Sequence, residues 1–120
     1  MNIFHNFHTG SFKDNQQDGK GEYLWTSGKK YIGDWKNGVK EGHGKMIWTD
    51  GTVYNGSWKN GKRHGFGVIK FTRTGNVYEG EWLNGKQDGK GKLLLGSGDY
   101  EGMTLVGTWR NGEYQKNMGN

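Results

Sequence analysis

Residues 78–91 read Tyr78-Glu79-Gly80-Glu81-Trp82-Leu83-Asn84-Gly85-Lys86-Gln87-Asp88-Gly89-Lys90-Gly91. Their skeleton, Y-x-G-x-W-x-N-G-x-x-x-G-x-G, occurs twice more, beginning at Tyr31 and at Tyr54. The Trp residues of the three copies, at positions 35, 58 and 82, are spaced by 23 and then by 24 residues. A nearly fixed period in this range is typical of a repeat array, in which each repeat packs only on its neighbours.

Two weaker copies flank these three. One period upstream, His8 and Phe12 take the Tyr and Trp positions, and downstream Leu105 and Trp109 take them in a copy that stops half-way. Terminal repeats of such arrays depart from the pattern because they have only one neighbour. We therefore predict an N-terminal cap over residues 1–7, a repeat array over residues 8–112 with about four repeats plus a half repeat, and a C-terminal tail over residues 113–120.

Each repeat has the pattern of a β-hairpin. Tyr31, Gly33 and Trp35 alternate with Ile32, Asp34 and Lys36, and this period of two places the first three on one face of a strand. Asn37-Gly38 is a turn dipeptide, and a loop through Gly42 is expected to lead to the second strand. Glycines on the ring-bearing face would leave a trough in which aromatic rings lie against backbone. The predicted fold class is all-β, an elongated single-layer antiparallel β-meander of tandem β-hairpins.

The composition agrees with a thin structure. Only 30% of the residues are hydrophobic and the mean hydropathy is -1.03, but aromatic residues make up 14% and recur at fixed positions. The absence of cysteine excludes a disulfide scaffold and a thiolate metal site. We find no run of about 18 apolar residues and no signal-peptide core, so we expect an intracellular, cytoplasmic protein. The net charge of +5 permits an acidic partner or an anionic membrane surface.

The repeated skeleton resembles the MORN (membrane occupation and recognition nexus) repeat, Y-x-G-x-W-x-x-G-x-x-x-G-x-G. The copies that begin at Tyr31, Tyr54 and Tyr78 match it at every position. The resemblance implies a β-meander without catalytic activity that acts as an interaction module: a scaffold at cytoskeletal or ciliary structures, a tether near membranes, or an accessory domain. The chain departs from the pattern where Trp82 and Trp109 are 27 residues apart, and the Gly96–Met103 loop supplies the extra length.

The ring positions are candidates for protein binding. A one-layer sheet leaves apolar surface exposed, and such patches often mark interaction sites. A partner or a second copy would dock on the aromatic face, with the Gly96–Met103 loop setting selectivity, or add a strand to the edge at Val106–Arg110, unless residues 113–120 fold over that edge. The interpretation in which the rings are mainly structural stays open beside this one. The predicted protein-binding residues are Tyr31, Trp35, Tyr54, Trp58, Tyr78, Trp82, Trp109 and Tyr100.

Basic residues near the turns suggest an alternative function. When the repeats are aligned, Lys40 corresponds to Arg63 and Lys62 to Lys86, which predicts a cationic stripe along one edge of the sheet. Such a stripe could bind anionic phospholipids, since each basic residue near the surface contributes about 1 kcal/mol. A peripheral membrane tether is therefore the second interpretation, with Lys40, Lys62, Arg63 and Lys86 as its lipid-binding residues.

Other chemistries find no support in the sequence. The four histidines lack the spacing of metal ligands, and no nucleophile with a neighbouring base emerges, so we expect no metal, no cofactor and no enzymatic activity. The glycine-rich turns lack the Lys-Ser/Thr and helix of a phosphate loop. Aromatic residues interleaved with Lys occur in single-strand binders, but here the repeat explains every Trp, and we expect no nucleic-acid partner.

Overall fold

The computed structural model describes residues 7–116, with the backbone alone for Phe7. Ten antiparallel strands form one open sheet whose spatial order is the order in the chain. The strands are β1 Phe7–Lys13, β2 Gln16–Leu24, β3 Lys30–Lys36, β4 Val39–Ile47, β5 Val53–Lys59, β6 Lys62–Lys70, β7 Val77–Leu83, β8 Lys86–Leu94, β9 Thr104–Arg110 and β10 Glu113–Gln115. The molecule measures 56 × 31 × 17 Å, and the predicted all-β, elongated, single-layer meander is confirmed. Within residues 7–116 no helix is long and apolar enough to cross a membrane.

Two-residue turns close the hairpins. Asn37 and Gly38 both have positive φ, 50° and 81°, which is the conformation of a type I′ turn. The same geometry recurs at Asn60-Gly61, Asn84-Gly85 and Asn111-Gly112, and the first hairpin uses Asp14-Asn15. The predicted turns are therefore in place, and each second strand begins directly after its turn.

The predicted loop through Gly42 is wrong, because β4 already begins at Val39. Gly33 is paired with Gly44 and Trp35 with Lys40, so residues 41–43 of β4 lie opposite residue 34 alone. This is a β-bulge, which absorbs extra residues without ending the strand pairing. Gly42 takes a φ of 101° within it, and Gly19, Gly65 and Gly89 take the corresponding positive φ in the other repeats. The first glycine of each G-x-G thus supplies the backbone conformation of the bulge.

In the three full repeats the second glycine of G-x-G lies beneath a tyrosine ring, and in the first repeat Gly21 lies beneath the His8 ring. A Cβ added to Gly44 would meet the ring and hydroxyl of Tyr31, and Gly67 and Gly91 stand in the same relation to Tyr54 and Tyr78. The predicted glycine trough is confirmed at these positions and at Gly33, where an added Cβ would lie 2.8 Å from the Tyr31 hydroxyl. Each tyrosine can lie flat because the backbone beneath it carries no side chain.

The core is a continuous row of rings, which we call the aromatic ladder, on one face of the sheet, the front face. Each tyrosine packs edge to face between the Trp of its own repeat and the Trp of the next, with ring centroids 5.0–5.4 Å apart and interplanar angles of 76–90°. Pairs in this geometry contribute about 0.5–1.5 kcal/mol beyond the area that they bury. In spatial order the ladder consists of Trp35, Tyr31, Trp58, Tyr54, Trp82, Tyr78 and Trp109.

Hydrogen bonds fix the rings to the backbone. The Tyr54 hydroxyl donates to the carbonyl of Ser57 at 2.8 Å, and Tyr31 and Tyr78 donate to the residue three positions ahead in the same way. The indole Nε1 of Trp58 donates across to the carbonyl of Gly44 in the preceding repeat at 2.9 Å. The three tyrosine hydroxyls and the indole N–H groups of Trp35, Trp58 and Trp82 therefore have hydrogen-bond partners, as buried polar groups require.

The C-terminal end of the ladder is closed by the tail. Glu113–Gln115 pairs with Thr108–Arg110, so the array extends past the predicted boundary at residue 112. The Tyr114 ring lies 5.0 Å from Trp109 and over Gly107, where it replaces the ring that Leu105 lacks. The predicted edge strand is thus covered at its end, whereas the outer edge of residues 104–107 has no partner strand within residues 7–116. The predicted N-terminal cap lies outside the described residues, except that Phe7 begins β1.

Substituting Gly67 by Ala will test the contact between ring and glycine. The added methyl group would meet the Tyr54 ring, which is buried and hydrogen-bonded and cannot move aside. We expect a loss of about 1–3 kcal/mol in the free energy of unfolding, measured by urea denaturation. The control is Gly85→Asn, since Gly85 has open space around it and Asn tolerates its φ of 88°. Equal unfolding midpoints for the two variants would contradict this account of the trough.

The ladder tyrosines predict a loss of stability at alkaline pH. Burial raises the pKa of Tyr78 from 10.0 to about 12, and burial also raises the pKa values of Tyr31 and Tyr54. Because a folded-state pKa above the unfolded one favours the folded state only while the phenol is protonated, this stability is complete below pH 10. It falls as the pH rises toward about 12.

Urea unfolding at several pH values above 9, with tyrosinate absorbance recorded in parallel, will measure this effect. We expect the ladder phenolates to appear together with unfolding, and Tyr78→Phe to flatten the pH dependence because one titrating group is removed. Ionisation of all tyrosines in a chain that stays folded would contradict the prediction.

Candidate functional site

The predicted protein-binding rings are the core of the protein. Tyr31, Tyr54 and Tyr78 are 0% exposed, and the four ladder tryptophans are 3–7% exposed. A partner cannot contact rings that neighbouring repeats already cover, so the prediction that these seven rings form the docking surface is corrected. Of the predicted set only Tyr100 is accessible, at 65%. The surface available to a partner on the front face consists of the side chains that cover the ladder.

One part of that cover is a row of half-buried apolar side chains at the ends of the second strands. We call Trp25, Trp48 and Phe71 the aromatic row, and all three pack against the ladder while part of each surface stays open. Each of them follows a core residue by two positions, so strand alternation predicts that both lie on the same face; these core residues are Tyr23, Met46 and Ile69. Alternation alone could not show that they are more open than the ladder, because their exposure depends on the neighbouring repeats.

Lys40 lies over the ladder within a group of four rings. Its Nζ is 5.5 Å from the Trp58 centroid, 5.6 Å from Trp25, 5.8 Å from Tyr31 and 6.0 Å from Trp35. Cation–π attraction at such distances contributes about 0.5–2 kcal/mol, depending on desolvation. Burial lowers the pKa of Lys40, and the nearby Lys29 ammonium lowers it further.

Arg63 takes the same position one repeat later. Its Cζ is 4.7 Å from the Trp82 centroid and 5.6 Å from Trp48, and its Nη2 donates to the carbonyl of Gly85 at 2.8 Å. Burial lowers the pKa of Arg63. Its guanidinium lies in an open concavity of about 440 Å³ that includes two members of the aromatic row; the lining residues are Trp48, Thr49, Asp50, Thr52, Arg63, Ile69 and Phe71.

These two cations, which we call the cation pair, have no acidic partner. The ion pairs found within residues 7–116 are Lys20–Asp34, Lys30–Glu22 and Lys92–Glu79, and none of them involves Lys40 or Arg63. The same position in the first and fourth repeats is held by Gln17 and Gln87, which carry no charge. The cation pair is therefore a local feature of the two central repeats and no part of the repeat pattern.

The predicted lipid-binding stripe divides between the two faces. Lys62 and Lys86 precede Arg63 and Gln87 in their strands, so they point to the opposite face, the back face, and both are exposed. The prediction of one stripe that contains all four residues is wrong, because adjacent residues of a strand alternate. A different row does form beside the turns on the back face, and we call it the basic turn row; it consists of Lys36, Lys59, Lys62, Lys86 and Arg110.

The acidic residues near the turns have a structural partner. Glu41 accepts a hydrogen bond from the backbone N–H of Asn60 in the next turn at 3.1 Å, and Asp18 and Asp88 do the same for Asn37 and Asn111. Each turn glycine also donates to the preceding repeat, as Gly61 does to the Lys40 carbonyl at 2.9 Å. These bonds connect successive turns and give the three acidic side chains a structural role.

The Gly96–Met103 loop connects β8 to β9. It is closed at its base by the N–H of Leu95, which donates to the Met103 carbonyl at 2.9 Å, and Gly75 packs against Gly96. Tyr100 projects from the loop and makes no ring contact among the described residues. The structure thus does not bring Tyr100 together with the other predicted binding residues.

No catalytic or metal-binding arrangement is found within the described part of the chain. Residues 7–116 contain no cluster of three or more His, Asp or Glu side chains able to hold a metal ion. The His43 ring shares a hydrogen bond with the Asn55 side-chain oxygen at 2.9 Å, and His8 packs on Trp35 with centroids 5.2 Å apart. The predictions of no enzymatic activity and no cofactor stay predictions.

Comparison with known proteins agrees with the observed repeats. The family model of the MORN repeat matches residues 8–30, 31–53, 54–73 and 78–100, which is most of the chain. The half repeat of β9 and β10 lies beyond the matched residues. No curated protein matches the chain. Since four tandem matches coincide with four hairpins that share one ring-and-glycine geometry, this chain belongs to the MORN-repeat family.

Proposed function

We propose that the protein is a non-enzymatic protein-interaction module, acting as a scaffold subunit in a larger assembly. The observation that carries this proposal is the chemistry of the front face. There the half-buried aromatic row lies beside Lys40 and Arg63, which have no acidic partner within residues 7–116. MORN repeats are in general modules that bind proteins or membrane lipids. A cytoplasmic location and an association with cytoskeletal or ciliary structures remain part of the proposal.

The single layer of the sheet leaves one side of the aromatic core without a second sheet or helix over it among the described residues. A second layer would normally cover the open side of an aromatic core, but in residues 7–116 only side chains cover it. Trp48 and Phe71 line the concavity beside Arg63, and partly exposed rings next to a cation are typical of the anchor positions at protein interfaces. The front face can thus contribute both apolar contact and charge to one partner.

The double substitution Trp48→Ser and Phe71→Ser will test the docking surface. We expect capture of the partner from a lysate of the source cells to fall at least about tenfold, since anchor residues contribute about 2 kcal/mol or more to binding. The control is Leu24→Ser with Leu94→Ser, which removes two exposed apolar side chains from the back face. The melting temperature of each variant will show that the sheet is still folded. Equal capture by all three proteins would contradict the proposal.

A second candidate function is peripheral binding to anionic membranes. The basic turn row favours it, because five cations lie along one edge of the back face and none of them is in an ion pair within residues 7–116. Val39 and Leu83, which pair with Lys36 and Lys86, are exposed in the same row and could enter the interface region of a bilayer. In this proposal the basic turn row takes the place of Lys40 and Arg63 as lipid-binding residues, because the aromatic rings hold those two side chains on the front face.

Charge reversal in the basic turn row will test membrane binding. Lys59→Glu with Lys62→Glu should reduce flotation with phosphatidylserine-containing vesicles by at least about tenfold, at about 1 kcal/mol for each lost cation and more for each reversed one. Wild-type binding should also decrease steeply between low and high salt. Lys45→Glu with Lys70→Glu is the control, since both residues are exposed on the back face away from the turns. If the two variants bind equally well, the basic turn row has no specific role.

A further inference from the structure

We propose that the cation pair, Lys40 and Arg63, recognises an acidic peptide segment that runs along the front face across the strands, with two carboxylates spaced to match the pair. This inference rests on the proposed function and names the chemistry of the partner. Both cations are half-buried and lack an acid within ion-pair distance in residues 7–116.

A partly desolvated cation without an acidic neighbour can form an ion pair with a carboxylate of a binding partner. Arg63 uses one N–H on the Gly85 carbonyl, and no other hydrogen bond from its guanidinium is found among the described residues, although the group has five donors. The Lys40 ammonium makes ring contacts but no hydrogen bond to a described residue. Hydrogen bonds between charged groups are about twice as strong as neutral ones, so carboxylates would gain most at these two positions.

The spacing of the pair selects the form of the segment. Lys40 is in β4 and Arg63 is in β6, two strands apart, which corresponds to about 9.6 Å along the sheet. A polyproline II chain advances about 3.1 Å per residue with three residues per turn, so side chains at positions i and i+3 lie on one side about 9.3 Å apart. The expected recognition element is therefore a pair of acidic residues three positions apart in an extended segment.

The aromatic row supplies the apolar part of the same surface. Trp25 lies 5.6 Å from the Lys40 Nζ, and Trp48 lies at the same distance from the Arg63 Cζ, so each cation has an accessible ring beside it. Aromatic-lined grooves are the usual receptors for polyproline II segments, because the chain is already extended and loses little entropy on binding. Asp50, the acid at the rim of the concavity, is engaged by the Thr52 N–H of its own loop at 2.9 Å.

The position of the pair favours a peptide over a membrane surface. Both cations are half-buried against the rings of the ladder, and a flat bilayer would meet the exposed basic turn row on the other face more easily. A single chain, by contrast, can lie along the row of rings and reach both charges. Binding of anionic vesicles through Lys40 and Arg63 is accordingly an outcome that would overturn the proposal.

The experiment is a selection of displayed random peptides on the full chain, followed by affinity measurement. Peptides of about twelve residues are long enough, since an extended chain of that length exceeds the spacing of the pair several-fold. We expect enriched peptides to carry Asp or Glu at positions i and i+3, and fluorescence anisotropy should show at least about tenfold weaker binding to Lys40→Met with Arg63→Met. Methionine keeps an apolar stem over the rings and removes the charge, and at Arg63 it also removes the hydrogen bond to the Gly85 carbonyl.

Three further variants make the test specific. Lys45→Met with Lys70→Met neutralises two exposed cations on the back face, outside the basic turn row, and should leave the peptide affinity unchanged. Lys40→Met alone removes no hydrogen bond to a described residue, so it serves if the double variant unfolds. Gln87→Arg places a third cation in the same row, and it should strengthen the binding of peptides that carry a third acid at i+6.

The outcomes separate this inference from the proposed function. Peptides without the acidic pair, or peptides that bind Lys40→Met and Arg63→Met as well as wild type, would overturn the inference, even if Trp48→Ser and Phe71→Ser abolish their binding. If no peptide is enriched, the inference also fails, and lysate capture that does not depend on the front face removes the proposed function as well. Vesicle flotation that requires Lys40 and Arg63 would assign the pair to lipid instead.

Discussion

The contact between a tyrosine ring and a pair of glycines is the constraint on which the rest of this structure depends. Tyr54 can be fully buried in a one-layer sheet only because Gly56 and Gly67 leave bare backbone beneath its ring. Once it lies there, it packs edge to face with Trp58 and with Trp82 of the next repeat. The same contact therefore builds the core within a repeat and joins one repeat to the next, which is how a thin array with few apolar residues becomes cooperative.

The ladder also explains why the surface on the front face has its particular chemistry. Rings that stand edge to face leave an aromatic surface above them, and a long side chain with a charged end can cover it with its stem while the charge remains partly hydrated. Lys40 and Arg63 do this in the central repeats, whereas Tyr114 does it at the C-terminal end with a ring of its own. Positions that the repeat pattern leaves free thus decide the charge of the face, and repeats with the same fold can serve different partners.

The two faces of the sheet offer different kinds of contact. The front face combines half-buried rings with cations that lack acidic partners among residues 7–116, and the back face carries the exposed basic turn row. The hydrogen bonds between successive turns hold both surfaces at a fixed spacing, because each turn glycine and most turn asparagines donate to the repeat before. An array with a fixed spacing suits a scaffold, since the protein itself then loses little conformational entropy on binding.

The sequence alone determined the repeat, the strands, the turns and the all-β meander, because the period, the alternation and the Asn-Gly dipeptides are local signals that directly constrain the backbone. It could not show the bulge at Gly42, since a bulge is defined by the register with the partner strand. Because the strand pairing is not visible in the sequence, the aligned repeats group Lys40 and Arg63 with Lys62 and Lys86, although these two sets lie on opposite faces of the sheet. Only the tertiary structure decided that the Tyr and Trp rings are core and that the surface is what covers them, because the burial of each ring depends on side chains contributed by the repeats on either side.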